Sequence, residues 1–251
     1  MSGINMIKNK IMVLSGKGGV GKSSIAVNTA VALKNKGFKV GLLDIDLHGP
    51  SVPHMLGLQN ERLNANDDDK LLPVEKDGMK VISIGFLLDD ENRAVIWRGP
   101  LKYKLLMQFL TDVEWGELDY LIIDSPPGTG DEPLTILQNI KDLAGAVIVT
   151  SPQSIALLDV KKALDFLNQM SIKLIGIVEN MSGYKCPKCG ELSHIFGNED
   201  IEKKLGGKVI ARIPIMKEFV ELSDISKIPV ENNEEIKKHF EQIAESIISS
   251  E

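Results

Sequence analysis

Short apolar runs alternate along this chain with longer stretches in which apolar residues recur every three or four positions. Runs of the first kind predict buried parallel strands, and stretches of the second kind predict helices. The predicted strands are 11–14, 38–43, 80–86, 120–123, 144–150, 173–178 and 209–213. The predicted helices are 22–36, 99–112, 155–170, 200–205 and 233–249. This alternation indicates an α/β fold with a doubly wound, mainly parallel sheet and helices on both faces.

Two stretches interrupt the alternation. Residues 60–78 are polar and include three adjacent aspartates, so we expect a solvated insertion there. From Pro214 to Pro229 we expect irregular structure, because proline ends regular elements. A length of 251 residues is ordinary for one doubly wound unit. We therefore expect residues 1–251 to form a single domain.

The first predicted strand runs into a glycine-rich segment that opens the first predicted helix. The segment reads Gly16-Lys17-Gly18-Gly19-Val20-Gly21-Lys22-Ser23-Ser24. It fits the phosphate-loop template, in which backbone N–H groups at a helix N-terminus surround phosphate oxygens. Lys22 would reach the β- and γ-phosphates of a nucleotide, and the Ser23 hydroxyl would bind Mg2+. A plain glycine-rich turn is the alternative, but a chance match in a chain this long is on the order of 1 in 100.

Lys17 stands inside this loop, where an ordinary phosphate loop needs no second lysine. The Lys-Gly-Gly form resembles the deviant phosphate-loop ATPases, a group that includes nitrogenase iron protein and the Min and Par ATPases. The resemblance implies that Lys17 reaches across a dimer interface to the partner's nucleotide and acts in catalysis. A solvated surface lysine is the alternative.

Aspartates follow two of the predicted buried strands. Asp44 and Asp46 follow the strand 38–43, and Asp124 follows the strand 120–123. Ligands of open α/β sheets lie beyond the carboxyl ends of the strands, so these side chains are expected to face the phosphate loop. Asp46 is the candidate for positioning the attacking water, while Asp44 and Asp124 would support hydrated Mg2+. Whether Asp44 or Asp46 is nearer the water stays open, and aspartates that cap loops are the alternative.

Asn180 follows the strand 173–178 and leaves the sheet near the same edge. Its amide can both donate and accept hydrogen bonds, which suits recognition of adenine. An asparagine that only forms a turn is the alternative.

The two cysteines of the chain, Cys186 and Cys189, form one Cys-x-x-Cys in the loop 181–197. In a reducing compartment such a pair is typical of metal binding or redox chemistry. Zinc and a cubane iron–sulfur cluster each need about four ligands, and one chain supplies two thiolates. Two copies about a two-fold axis would supply four, which favours a homodimer. His194 is near enough in sequence to be a third ligand, although a solvated loop histidine is the alternative.

Charge and hydropathy narrow the possible partners. The formal net charge is -6 at pH 7, whereas a general nucleic-acid binder needs a basic face. No run of about 18 apolar residues suggests a membrane span, and the N-terminus lacks a secretory signal. The last predicted helix lacks the lysine-rich polar face of a membrane-surface helix. We therefore expect a cytoplasmic protein that binds neither nucleic acid nor membrane.

Five motifs, taken in order, closely resemble the Mrp/ApbC family of ATP-binding iron–sulfur cluster carriers, of the nucleotide-binding-protein type. They are residues 16–24, Asp-Ile-Asp-Leu-His-Gly-Pro-Ser at 44–51, Asp-Ser-Pro-Pro-Gly-Thr-Gly-Asp at 124–131, Val-Glu-Asn-Met-Ser at 178–182 and Cys-Pro-Lys-Cys-Gly at 186–190. The resemblance implies a homodimer that holds a bridging [4Fe-4S] cluster through Cys186 and Cys189 of both subunits. It further implies that the dimer hydrolyses ATP and passes the cluster to apo iron–sulfur proteins. Asn180 and the Pro214 region would form the adenine pocket.

Two other functions stay open. One is a Min/Par-type positioning ATPase that acts on a membrane or on DNA, against which the acidic charge and the cysteine pair argue. The other keeps the ATPase dimer but places a structural zinc at the cysteines, because Cys-Pro-x-Cys-Gly is also half of a zinc ribbon.

Overall fold

The phosphate loop and the segments that follow Asp44 and Asp124 lie together at the carboxyl ends of parallel strands. The computed structural model describes residues 3–47, 49–87, 99–197 and 200–250, without the side chains of residues 154 and 155. His48, in the motif at 44–51, lies outside the described residues.

The described residues contain eleven strands. They are β1 (Asn9–Ser15), β2 (Val40–Asp44), β3 (Asn64–Ala65), β4 (Leu71–Leu72), β5 (Val74–Lys76), β6 (Met79–Ser83), β7 (Tyr120–Asp124), β8 (Gly145–Thr150), β9 (Leu174–Lys185), β10 (Leu192–Ser193) and β11 (Val209–Ile215). Nine of them form one sheet in the order β10-β9-β8-β1-β7-β2-β6-β5, with β11 also paired to β9. The pairs that join β1, β2, β6, β7, β8, β9 and β11 are parallel, whereas β5 and β10 pair antiparallel with their neighbours.

Helices cover both faces of this sheet, which confirms the predicted α/β architecture. They are α1 (Lys22–Asn35), α2 (Val52–Leu56), α3 (Gly99–Thr111), α4 (Asp131–Asn139), α5 (Ser154–Gln169), α6 (Ile201–Leu205), α7 (Lys217–Asp224), α8 (Pro229–Asn232) and α9 (Glu234–Ile248). Residues of α1, α2, α8 and α9 belong to one buried apolar cluster. Residues of α3, α4, α5 and α6 belong to a second cluster.

Successive residues of the central strands enter different clusters. In β2, Leu42 packs in the cluster that contains α1, and the adjacent Leu43 packs in the cluster that contains α3. Both side chains are fully buried. Because a sheet with two covered faces buries every strand position, these strands are continuously apolar rather than alternating.

Three sequence expectations are wrong in detail. The strand predicted at 173–178 does not end there, because β9 runs on to Lys185, supported by β11 on one stretch and β10 on another. Half of the stretch from Pro214 to Pro229 is helical in α7, and Pro214 itself lies within β11. Residues 60–78, expected to be a solvated insertion or a mobile loop, are largely exposed but contain the short strands β3, β4 and β5. Short strands with exposed, polar residues lack the apolar pattern that sequence reasoning requires.

None of the helices in the described part of the chain combines the length and apolar composition that a membrane crossing requires.

Candidate functional site

The loop between β1 and α1 surrounds a small cavity at the carboxyl edge of the sheet. Gly19 and Gly21 have positive φ angles of 80° and 82°, which glycine adopts without strain. The cavity measures about 230 Å³ and also touches the α1 residues Lys22 and Ser23. The start of α1, where backbone N–H groups favour anions, therefore borders an open cavity beside the loop.

Gly16 is required by packing as well as by the loop. A Cβ at this position would lie 2.5 Å from the carbonyl carbon of Asp159 and 2.6 Å from its oxygen. These are backbone atoms of α5 that cannot move aside, so only glycine lets the loop approach this helix. Gly18 differs, because a Cβ there would meet nothing within 4 Å.

Lys22 lies at the centre of a buried cluster of charges. Its Nζ is 2.5 Å from Oδ1 of Asp124 and 3.5 Å from Oδ2 of Asp46. The Ser23 hydroxyl is 3.4 Å from the same nitrogen. Three residues predicted from separate motifs, a loop lysine and two aspartates at strand ends, thus meet in one place. They meet because β2 and β7 are neighbours, with Asp44 in register with Asp124.

Asp44 lies behind this cluster and is fully buried. Its Oδ2 accepts a hydrogen bond of 2.7 Å from the Ser83 hydroxyl, and its Oδ1 accepts one of 3.2 Å from the backbone N–H of Asp46. Burial, together with the negative charge of Asp124, raises the pKa of Asp44 to about 7. Sequence reasoning missed Ser83, although its position at the end of β6, next to β2, was a usable signal.

Asp124 has one carboxylate oxygen that its surroundings do not satisfy. Burial raises the pKa of this group, and the charge of Lys22 and its hydrogen bond act in the opposite direction. Within the described residues Oδ2 has no hydrogen-bond partner, although it is inaccessible to solvent. Such an orphaned oxygen needs a partner of another kind, and a metal-bound water is one.

The chemistry of these donors fits Mg2+ better than a metal held by protein alone. Among the described residues, no group of three or more carboxyl, thiol or imidazole side chains is arranged to hold a metal ion. Mg2+ commonly binds through one or two carboxylates, several waters and substrate phosphates. Asp124, Asp44 and the Ser23 hydroxyl beside the phosphate cavity supply that kind of set.

Lys17 does not join the Lys22 cluster. Its Nζ donates a hydrogen bond of 3.0 Å to Oε1 of Gln153, the residue before α5. The side chain is half-buried at the mouth of the loop. Within one subunit, the second loop lysine is thus held by a neutral amide rather than by an acid.

A second cavity of about 240 Å³ adjoins the phosphate loop. It shares Gly21 and Ser24 with the phosphate cavity, and Asn180, Pro214 and Phe219 line it further. The Asn180 amide nitrogen donates a hydrogen bond of 2.9 Å to the Val20 carbonyl, a contact that the sequence did not predict. This bond uses one of the two N–H groups of the amide.

Cys186 and Cys189 lie in a tight turn at the end of β9. The Gly190 N–H donates to the Cys186 carbonyl at 2.8 Å, and the Cys186 N–H donates to the Glu191 carbonyl at 2.9 Å. Both thiols are free, Cys189 is exposed and Cys186 is half-buried. Backbone N–H groups of Cys189 and Lys188 lower the pKa of the Cys186 thiol, which favours the thiolate that metals bind.

His194 lies beside this turn but does not complete a ligand set. Its Nδ1 is 2.9 Å from the Ser182 carbonyl, within the same hairpin. Among the residues described, the two cysteines form no metal-binding group with a third histidine, cysteine or carboxylate. A four-ligand metal centre at this turn would need ligands beyond those that the described residues place there.

Comparison with known proteins identifies the family. The family model ParA, described as the NUBPL iron-transfer P-loop NTPase, matches residues 6–248. The chain belongs to this family. Two relatives of this P-loop NTPase are an iron–sulfur cluster carrier protein from Methanocaldococcus jannaschii, 49% identical over 97% of this chain and 87% of the relative, and the cytosolic Fe-S cluster assembly factor CFD1 from Saccharomyces cerevisiae, 46% identical over 86% of this chain and 77% of the relative.

Solved structures agree with the P-loop NTPase fold. A nucleotide-binding protein from Archaeoglobus fulgidus, in complex with ADP, is 40% identical, has a TM-score of 0.79 and is matched over 93% of this chain and 92% of that chain. The cell division ATPase MinD from Pyrococcus furiosus has a TM-score of 0.71 at 24% identity, covering 97% of this chain and 99% of that chain. The second comparison supports the fold alone.

Proposed function

We propose that this P-loop NTPase is an ATP-dependent carrier that binds a [4Fe-4S] cluster between two subunits and transfers it to apo iron–sulfur proteins. The observation that carries the proposal is the incomplete thiol set at the end of β9, on the same strand as Asn180 beside the nucleotide loop. The relatives named as cluster carriers and assembly factors support the same conclusion.

The nucleotide half of the site would hold Mg·ATP through residues 16–24. The Lys22 ammonium group would move partly away from Asp124 and Asp46 and contact the β- and γ-phosphates. It would thereby exchange carboxylate partners for phosphate oxygens. Bound Mg2+ would neutralise charge on the phosphate oxygens. Ser23, Asp44 and Asp124 would hold it directly or through water, and Asp46 would orient the attacking water.

The base would occupy the 240 Å³ cavity beside the loop. Its largely apolar lining, with Phe219 and Pro214, suits the faces of a purine ring. Asn180 keeps one N–H and its carbonyl oxygen for the ring edge while it holds the Val20 carbonyl. This combination favours adenine as the base.

The cluster is the cargo of this protein, and each subunit would supply half of its ligands. A [4Fe-4S] cluster needs about four thiolates. Cys186 and Cys189 of two subunits supply that number when a two-fold axis brings the turns together. Lys17 would reach the partner's nucleotide across the same axis, giving up its bond to Gln153.

Nucleotide and cargo would be coupled through the dimer. Mg·ATP would favour a closed pair of subunits, through Lys17 and the loops after Asp46 and Asp124, and so change the spacing of the cysteine turns. Hydrolysis would relax that arrangement and favour cluster release, because a ligand shifts a conformational equilibrium only by its different affinity for the two states. Equal transfer rates without nucleotide, with ADP and with ATP would contradict this coupling.

Metal analysis separates the cluster carrier from the structural zinc alternative. Wild type and the double variant Cys186→Ala, Cys189→Ala are reconstituted anaerobically with iron and sulfide, and iron, sulfide and zinc are then measured. The proposal expects brown wild-type protein with iron and sulfide and a colourless variant with neither. Colourless wild-type protein with one zinc per dimer would establish the zinc clasp instead.

Co-sedimentation with liposomes or DNA in the presence of ATP tests the Min/Par alternative, and the proposal expects no binding to either.

A further inference from the structure

One strand contacts the phosphate loop and also carries the cysteine turn. Asn180, in the middle of β9, donates its amide hydrogen to the Val20 carbonyl at 2.9 Å. The approach is close, because a Cβ at Gly21 would lie 2.3 Å from the Asn180 amide nitrogen. Cys186 follows the last residue of the same strand, Lys185. The loop that receives phosphates and the thiols that receive metal are therefore joined by about six residues of continuous chain.

The strand is interrupted between these two points. In the register with β11, Ile213 pairs with Asn180 and Ile215 pairs with Tyr184. Residues 181–183 of β9 thus face the single residue Pro214, which has no N–H to donate. Such a bulge bends a strand and leaves its extra residues outside the ladder. The hydrogen-bonded sheet therefore does not hold β9 firmly at this place.

Met181, the first bulge residue, has a strained backbone. Its φ of +57° lies in the left-handed region, which is rare for a long side chain. A non-glycine residue held there is destabilised relative to ordinary backbone conformations. Met181 also lines the cavity beside the phosphate loop. A ligand in that cavity therefore contacts the strained residue directly.

Beyond the bulge, the cysteine hairpin is a unit of its own. Lys185 pairs with Leu192 and Tyr184 with Ser193, and the turn is closed by its own backbone hydrogen bonds. A tie from this unit to α9 is the ion pair of Lys185 with Glu235, in which both side chains are more than one third exposed. Exposed ion pairs of this kind contribute little to stability. This ion pair and the pairing of Tyr184 with Ile215 of β11 link the hairpin to the rest of the subunit.

We propose that the bulge at residues 181–183 is a hinge through which nucleotide occupancy changes the exposure of Cys186 and Cys189 within one subunit, with Asn180 as the positioning residue that links it to the phosphate loop. This inference rests on the proposed function, because a change in thiol exposure matters for cluster transfer only if these thiols bind the cluster. It differs from coupling through the dimer, because a single subunit contains every part of it.

The test measures alkylation of the two thiols in cluster-free protein under anaerobic conditions. The rate with iodoacetamide is compared with and without saturating Mg·ADP, the peptide that contains both cysteines being quantified by mass spectrometry. ADP, rather than ATP, avoids closure of the dimer, and light scattering checks that the mass is unchanged. The expected change in rate for wild type is about fivefold or more, the lower end of usual coupling between two sites. An unchanged rate overturns the hinge.

Three variants locate the link. Asn180→Ala removes the bond to Val20, and Met181→Gly removes the strain, so both are expected to reduce the effect of saturating Mg·ADP below about twofold. Asn139→Ala is the matched control, because its amide also donates to a backbone carbonyl, that of Thr135 at 2.7 Å in α4. It should respond as wild type does. A full wild-type response in Asn180→Ala overturns the role of Asn180, and if that variant does not fold by circular dichroism, a full response in Met181→Gly overturns the hinge.

Failure of the hinge and failure of the proposed function give different results. Reconstitution with iron and sulfide is measured on the same preparations. A wild-type protein that gains no iron but changes its alkylation rate with Mg·ADP contradicts the carrier and supports the hinge. A protein that gains iron but is alkylated at the same rate with and without Mg·ADP supports the carrier and contradicts the hinge.

Discussion

The Lys22 ammonium group lies 2.5 Å from Oδ1 of Asp124, and both side chains are buried. A cation and an anion at this distance stabilise each other strongly where water is excluded, but each has also lost its hydration. The pair therefore contributes less to net stability than to arrangement, because it keeps the loop lysine directed toward the strand that ends at Asp124. Phosphate binding then needs an exchange of partners rather than a large movement.

Removing the lysine should destabilise the protein as well as abolish nucleotide binding. Lys22→Met leaves Asp124 buried without its counter-charge, and the expected loss is about 3 kcal/mol in the free energy of unfolding. Lys36→Met is the control on the same helix, since the ion pair of Lys36 with Glu245 is exposed and should contribute below about 1 kcal/mol. Urea unfolding without nucleotide measures both. Equal stability of the two variants would contradict the account.

Asp44 should make stability depend on pH. Its pKa rises from 3.8 when unfolded to about 7 when folded, so the folded state binds the extra proton between these values. The sign follows: this group lowers the free energy of unfolding as the pH rises from about 4 to about 7, and adds no further change above that. Asp44→Asn cannot titrate. The stability of Asp44→Asn relative to wild type should therefore increase from pH 5 to pH 8. A stability difference that stays constant or decreases over this range would show that folding does not raise the pKa of the Asp44 carboxyl.

Mg·nucleotide binding should follow the opposite trend. A metal-supporting Asp44 must be ionised, and the proton that it holds near neutral pH competes with the metal. Wild type should bind Mg·ADP more tightly at pH 8 than at pH 6. The change in affinity between these pH values should be larger in wild type than in Asp44→Asn. Calorimetry at the two pH values measures this. A wild-type affinity without pH dependence in this range would exclude Asp44 from the metal site.

Two glycines of one loop should respond differently to alanine. Gly16→Ala puts a methyl group 2.5 Å from the Asp159 backbone and should cost about 1 to 3 kcal/mol in stability. Gly18→Ala meets open space and should leave the unfolding midpoint nearly unchanged. The comparison is made in the absence of nucleotide, so that phosphate contacts do not contribute. A similar loss in both variants would refute the packing role of Gly16.

Lys17 should affect turnover without affecting ADP binding. If it acts on the partner's nucleotide in the manner of an arginine finger, Lys17→Ala should lower ATP hydrolysis on the order of 10³-fold. The dissociation constant for Mg·ADP should stay within about twofold, because ADP lacks the γ-phosphate. Gln153→Ala removes only the neutral partner of the lysine and should hydrolyse ATP near the wild-type rate. Weakened ADP binding in Lys17→Ala would indicate a role within one subunit.

The sheet and its large helices could be predicted because their apolar patterns are long and periodic. Leu42 and Leu43 belong to a continuously apolar strand, and that pattern needs no partner to be recognised. The path of β9 beyond Val178 could not be predicted in this way. Its polar and small residues join the sheet because β11 and β10 pair with them, and such pairing between distant segments leaves no local pattern.

The same limit applies to the site. Lys22, Asp46 and Asp124 follow from motif spacing and strand ends, and the Lys22 Nζ lies 3.5 Å from Oδ2 of Asp46 and 2.5 Å from Oδ1 of Asp124. The bond from Asn180 to Val20 and the contact of Gly16 with Asp159 join residues more than 140 positions apart. The residue types alone are compatible with many such contacts between distant positions. Only the folded structure shows which of these contacts form.

The central claim is that two subunits complete one metal centre, and native mass spectrometry after anaerobic reconstitution tests it most directly. The mass of the complex and its iron and sulfide content are read on the same particles, for wild type and for the Cys186→Ala, Cys189→Ala variant. The account predicts a wild-type dimer with about four iron and four sulfide atoms, and no cluster on the variant. A monomer that holds the full set of iron, or a dimer that holds none, would contradict it.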